Sequence, residues 1–564
     1  MRAKCKTAMG VGTACLPEPA ATFSANSRSG QWLRIVTLAV AAAVPYLPTL
    51  GFGFVYDDRP QIVDNRDLLS LSSVPRYFTQ PISKAVGLHD ATQPVFYRPL
   101  FFLQLYFTRT LFGPGPFGFH LFSLLFHIAN TLLLYVVAIR LGLRREVAYL
   151  AGLLFATHPV HVESVVWPSA SPEVMVLAAI LSSLLAFLEA QRTSSSSARY
   201  AWRALSLTAF LVALFVKETA LATLPLVVAI ALMEPDRESS AGRSLAINLV
   251  LYLGVALFYL LVRMHVLHGL ASTITPTSLL DMARTWPSVL WFYERHLLMP
   301  MHTSLLYDYD LVEHITFAAF WIPLATVLAT LAVAAFCLRR PCSPAVVIAM
   351  LLVVVPILLV LNFRIFNWRD LVHDRYLYTP SAGYCILAAT ALWNLGRWSA
   401  KTVGPTVQRI LVAGLLCVMA LATATQALPW KNNLLLLRNA VEIAPGNISA
   451  QMLLGSELES RGHFPEAEIC YARALQLTPA WGPAWFAYGR ALLLTRDPEN
   501  AIRSLRRAVE LDERPIELVW LALAMDEVGR QQEAQSLLVR AASEDRTMPQ
   551  VYEGLQRELI AAGN

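Results

Sequence analysis

The chain has 564 residues, of which 56% are hydrophobic and 15% charged, a formal net charge of +6 and a mean hydropathy of +0.50. A globular domain carries roughly a quarter charged residues, so most of this chain cannot be a water-facing fold and reads as a polytopic membrane protein. Much of the positive charge sits in short loops, where it reports topology, and no basic tract suggests nucleic acid as a partner.

The first 34 residues carry Arg2, Lys4, Lys6, Arg28 and Arg34 against Glu18 and precede the apolar run 35–50. That pattern predicts a cytoplasmic leader and a retained signal anchor. Directly after the run comes FGFVYDD, Phe52 to Asp58. Ionisable groups at the hydrocarbon boundary are costly to place and usually line a pathway or an active site. Asp57 and Asp58 are therefore the catalytic candidates; helix-capping aspartates on a solvated loop are the plainer alternative. The segment 59–112 is too polar and too broken by proline to cross. It ends in YRPLFFLQLYFTRTLFG, where Arg98, Gln104 and Arg109 interrupt apolar residues as in an interfacial amphipathic helix.

Further apolar runs lie near 117–139, 147–165, 173–190, 201–216, 219–233, 245–263, 316–337, 344–362, 377–396 and 408–427. With the first, they predict about eleven spans. Basic residues should mark alternate loops, and Arg140, Arg144, Arg145, then Arg192, Arg199, Arg203, then Arg339, Arg340, then Arg397, Lys401, Arg409 do so. The loop 234–243, with Glu234, Asp236 and Glu238, departs from that rule. An odd span number puts the carboxyl terminus on the periplasmic or lumenal side, with outer loops at 51–116, 264–315 and 363–376.

On this assignment the unusual polar clusters share one face: Asp57 and Asp58; His158, His161 and Glu163; Lys217 and Glu218; Arg364, Arg369, Asp374 and Arg375. Convergence on one face is what a single site needs. The spacing in ATHPVHVESVVW does not match HExxH, and Pro159 breaks regular helix, so these residues read as cleft lining before zinc ligands. Lys217 and Glu218 are either a self-satisfied pair or a phosphate donor set. Arginine suits bidentate phosphate contact, which makes Arg375 the first candidate for a lipid-phosphate clamp and Arg369 the second. Arg98, Glu218 and Asp374 complete the candidate cleft. The seven cysteines are scattered without CxxC spacing, against a disulfide framework.

From 429 the chain turns polar and repetitive, with a period of about 34 residues. The unit 448–481 has Leu454, Gly455, Ala467, Tyr471, Ala474 and Pro479; 482–514 has Trp485, Gly489, Ala501, Leu505 and Ala508; 515–548 keeps Leu521, Ala534, Leu538 and Ala541. The stretch 431–447 resembles the second half of a preceding unit. This is the tetratricopeptide pattern, whose stacked helix pairs present a concave surface to extended peptide. The expected fold is all-α: a transmembrane bundle followed by an α-solenoid.

Taken together, FVYDD with Ile62 and Asn65, YRPL at 97–100, FHLFSLLFHIANTLLLY at 119–135, HPVHVESVVW at 158–167, KET at 217–219, LLMPMHTSLLYDYD at 297–310, DRYLYTPSAG at 374–383 and the repeats resemble the transmembrane and tetratricopeptide-repeat family related to protein O-mannosyltransferases, in a bacterial-type form. The resemblance implies a GT-C type glycosyltransferase that moves a hexose from a polyprenyl-phosphate donor to a protein Ser or Thr hydroxyl on the outer face. It places the family's acidic motif on Asp57 and Asp58: one as general base, the other orienting the acceptor or a divalent cation. The compact loops and few repeats favour a bacterial inner membrane over the endoplasmic reticulum. Membrane lipid is the surrounding partner. The same chemistry on a glycan or lipid acceptor, and a non-catalytic membrane scaffold, are the alternatives.

Overall fold

The structure is a computed structural model that describes residues 28–81, 96–234, 241–269, 277–339, 343–365, 370–399 and 404–563. The leader expected at 1–34 lies almost wholly outside the described residues, and Arg369 lies outside them too. All regular structure among the described residues is helical. Helices occupy each of the eleven apolar runs, because a segment in lipid must satisfy its own backbone hydrogen bonds. Among the described residues seven helices are long and apolar enough to cross alone, from Ser29–Gly51 to Pro405–Lys431. Glu218–Met233 and Pro344–Val360 are shorter apolar helices.

Pro168–Arg192 is the central helix, with 78% of its apolar window inside the protein. It packs on Phe117–Arg140 and Ser196–Val216, while Tyr378–Ser399 lies against Pro344–Val360 and Arg145–Thr157. Apolar contact alone does little to join helices surrounded by lipid, so polar ties and close approach carry more of the load. Asn130 Nδ2 donates to Val174 O at 2.8 Å and to Tyr378 Oη at 3.1 Å. Thereby one amide joins three helices. At Gly383 the helices come so near that an added Cβ would stand 2.2 Å from Ala349 O. Gly383→Ala is expected to push Tyr378–Ser399 off its neighbour at a cost of about 1–3 kcal/mol, read as a lower thermal midpoint in detergent.

One sequence expectation changes. The run 147–165 is not one span: its helix stops at Thr157, His158 is extended, and short helical turns follow at Pro159–His161 and Val162–Val166. Proline disfavours the helical conformation in the residue before it. The helix expected near 97–112 forms as Pro99–Phe112 and lies against Phe117–Arg140 and Ser196–Val216, with Phe101, Phe102, Gln104 and Thr108 buried. Its 14 residues reach about 21 Å, short of a hydrocarbon core of about 30 Å.

Beyond the membrane helices, Asn433–Ile443 leads into the pairs Ile448–Ser460 with Phe464–Leu477, Gly482–Leu494 with Pro498–Leu511, and Pro515–Glu527 with Gln531–Glu544. The small positions read from the sequence admit the large ones, as Tyr471 packs directly over Gly455. The turn inside each pair needs a left-handed residue, supplied by Gly462, Arg496 and Gly529. A last helix, Met548–Gly563, was not foreseen. The solenoid sits on the loops that carry Gly53, Tyr307 and Asp308: Gly53 N donates to Lys431 O, Asn447 Nδ2 to Tyr307 O, and Gly446 N to Asp308 Oδ2. It thus shares the face of the FGFVYDD loop.

Candidate active site

The FGFVYDD stretch forms a tight turn closed by Asp58 N donating to Val55 O at 3.0 Å. Tyr56 at its apex is left-handed, φ 49°, a conformation that non-glycine residues adopt only when the surroundings hold it. Two sets of contacts hold it here. On one side Tyr56 N donates to Asn433 Oδ1 at 2.7 Å. On the other, Asp58 Oδ2 accepts from Val55 N at 3.0 Å, and its Oδ1 accepts from Ser169 N at 2.9 Å and Ser169 Oγ at 2.6 Å.

The two aspartates therefore stand in different surroundings. Asp58 is fully buried, and both of its oxygens are taken up by the turn and by Ser169. Asp57 faces a cavity of about 210 Å³. Burial lifts the Asp57 carboxyl to about 6, with Arg375 opposing the shift and Asp370 adding to it. Burial lifts Asp58 to about 7 against the hydrogen bonds from Ser169 and Val55.

That cavity gathers residues from distant parts of the chain. Asp57, Arg98, Lys217, Glu218 and Arg375 all line it, together with Gln61, Trp167, Ser169, Glu173 and Tyr376. Each cation is anchored by a carboxylate. Arg98 Nη2 donates to Glu218 Oε1 at 2.8 Å, with Arg263 3.6 Å from the other oxygen of Glu218. Lys217 pairs with Glu173 and lies 4.9 Å from the Tyr376 ring centre. Arg375 pairs with Glu163 through its guanidinium, and its backbone N donates to Glu163 Oε2 at 2.8 Å. The Arg375 guanidinium also faces Trp167 and Tyr376, 5.3 and 5.1 Å from the ring centres. Among the described residues, Asp57 is the lining carboxylate with no ion pair and no side-chain hydrogen bond.

Other sequence candidates stand off the cavity wall. Glu163 lies behind Arg375 and is 1% exposed. His158 Nε2 is 3.1 Å from Leu297 O, and His161 Nε2 is 2.6 Å from Ser381 Oγ; the buried His158 ring lies against Tyr384 and the buried His161 ring against Phe155 and Tyr378. These histidines tie the broken helix end to its neighbours. Asp374 is buried and bonded to Tyr307 Oη. No group of three or more His, Cys, Asp or Glu side chains among the described residues is placed to hold a metal ion. Sequence reasoning passed over Glu173 and Tyr376. Glu173 opens an apolar helix as a first-turn acid, an ordinary position, so only the rule against membrane-edge charges pointed to it.

Comparison with known proteins agrees with the family resemblance read from the sequence. A tetratricopeptide repeat model matches residues 482–515. The chain is 26% identical over 488 residues to protein O-mannosyl-transferase TMTC3 of Mus musculus, covering 79% of this chain and 51% of that one. It is 24% identical to protein O-mannosyl-transferase F38B6.6 of Caenorhabditis elegans, covering 81% and 64%. With protein O-mannosyl-transferase Tmtc2 of Drosophila melanogaster it shares 36% identity over 187 residues, 32% of this chain and 20% of the relative. The chain thus spans between half and two thirds of the length of the first two relatives. A crystal structure of the Archaeoglobus fulgidus oligosaccharyltransferase tethered to an acceptor peptide aligns with TM-score 0.40 and 12% identity, over 79% of this chain and 59% of that one.

Proposed function

From a multi-pass membrane chain whose curated relatives are transmembrane and tetratricopeptide-repeat protein O-mannosyl-transferases, we propose a GT-C type glycosyltransferase. It moves a hexose, mannose first, from a polyprenyl-phosphate donor to a Ser or Thr hydroxyl of a protein on the periplasmic or lumenal face. The observation that carries the reading is one unpaired carboxylate, Asp57, sharing a cavity with Arg98, Lys217 and Arg375.

Asp57 accepts the proton of the acceptor hydroxyl as its oxygen attacks the anomeric carbon. The bond from that carbon to the phosphate oxygen breaks, and the electron pair leaves with polyprenyl phosphate. Fixed cations suit a leaving group that gains charge, because they need not reorganise as it departs. Arg375 and Arg98 supply N–H donors and Lys217 a point charge. The glutamates behind them hold them in place. Asp58 is a positioning residue that sets the turn from which Asp57 projects. Few repeats and compact loops favour the bacterial inner membrane over the endoplasmic reticulum.

The test is transfer by purified full-length protein from radiolabelled polyprenyl-phosphate mannose, with the glucose donor in parallel, into periplasmic protein. Label in protein, released by β-elimination as an O-linked hexose, is the expected result. Label only in lipid or glycan would replace the acceptor class, and no transfer from either donor by folded protein would overturn the reading.

A further inference from the structure

We propose that the acceptor polypeptide lies in a groove on the far side of the Tyr56–Asp57 turn and reaches Asp57 from the concave face of the solenoid; this rests on the glycosyltransferase reading above. The groove holds about 540 Å³, with Tyr56, Arg59 and Val63 on one wall and Glu457, Ser460 and Arg461 of the first solenoid pair on the other. Ser460 also lines a second hollow of about 370 Å³, which continues to Arg490 and Trp520 and is bounded by Leu559 of the last helix. Both hollows have Ser460 in their lining, so an extended chain laid along the repeats passes from one to the other there.

The turn itself borders both this path and the cationic cavity. Tyr56 faces the groove and Asp57 the cavity. Displacement at an anomeric carbon brings the nucleophile and the leaving group to opposite sides of one atom. A donor phosphate held among Arg98, Lys217 and Arg375 leaves the groove as the approach for a hydroxyl. The occupant is an extended polypeptide for two reasons. The groove is walled by Glu457 and Ser460 of the first solenoid helix, part of a surface of the kind that receives such chains. Its lining mixes an apolar strip, including the exposed Val63, with Arg59, Glu457 and Arg461, so no single charge selects a polyanion.

Ser460 is exposed, so Ser460→Trp fills the junction without entering the core, and Val539→Trp, at an exposed position that lines neither hollow, is the control. The assay uses the full chain, labelled polyprenyl-phosphate mannose and a pool of Thr-centred dodecapeptides. We expect Ser460→Trp to raise the peptide KM about tenfold or more, with the donor KM and the kcat at saturating peptide unchanged, and Val539→Trp to match wild type. Wild-type transfer with an unchanged peptide KM in Ser460→Trp would overturn the groove and leave the enzyme reading intact. Wild-type transfer of mannose only to water or to a non-peptide acceptor would overturn both.

Discussion

Asp57→Asn is expected to lower sugar transfer by about 10³-fold or more, since a positioned general base contributes about 10² to 10⁴ and the amide cannot take the proton. The fold should survive, and it should become more stable above pH 6. Burial raises the Asp57 carboxyl to about 6, while an unfolded chain would release that proton near the usual value of about 4. Between those values the folded state binds more protons than the unfolded one, so stability falls as pH rises through the window. The Asn variant removes this contribution to the slope. In wild type, kcat/KM at limiting peptide should fall about tenfold per pH unit below about 6.

Asp58→Asn gives a contrasting signature. Its carboxylate accepts from Val55 N, Ser169 N and Ser169 Oγ, and an amide nitrogen in place of one oxygen would face a donor. Activity and thermal midpoint should fall together. Loss of activity with gain of stability marks a group kept for chemistry; joint loss marks one kept for position. Thermal midpoints and single-turnover rates for the two variants, across pH 5 to 8, separate these outcomes.

The order of membrane helices was readable because each apolar run reports its own length and polarity without reference to its partners. The same locality explains the misses. Nothing near Glu173 announces Lys217, 44 residues away, and nothing near Asp58 announces Ser169, 111 residues away. The charge pattern offers the polar motifs a side of the membrane but no depth. Hence Lys217 and Arg375, which reach the cavity, looked alike to His158, His161 and Asp374, which pack behind it. The motif LLMPMHTSLLYDYD was singled out, yet its observed work is docking: Thr303 O, Tyr307 O and Asp308 receive donors from the start of the solenoid. Asn433 was not read as part of the site at all. It accepts from Tyr56 N while its own amide donates to Glu457 at 3.1 Å, so the solenoid helps to hold the strained turn. Deleting 431–564 would therefore disturb the Tyr56–Asp57 turn as well as remove the solenoid, which makes point changes such as Ser460→Trp the sharper probe.

Arg375→Met is expected to abolish detectable turnover, but the single change does not isolate the chemistry. It strands Glu163, 1% exposed, and an unpaired buried charge costs about 3–5 kcal/mol. The pair Glu163→Gln with Arg375→Met removes both charges, so the thermal midpoint should return toward wild type. Turnover should not return, because the cation beside the leaving phosphate is still missing. Arg375→Lys keeps a charge but loses the guanidinium fork, and a fall in kcat of about 10²-fold with little change in donor KM is expected from losing stabilisation made mainly in the transition state. Presteady-state release of polyprenyl phosphate reads this step directly. If the double variant regains turnover along with stability, Arg375 acts only by neutralising Glu163, and the phosphate falls to Arg98 and Lys217.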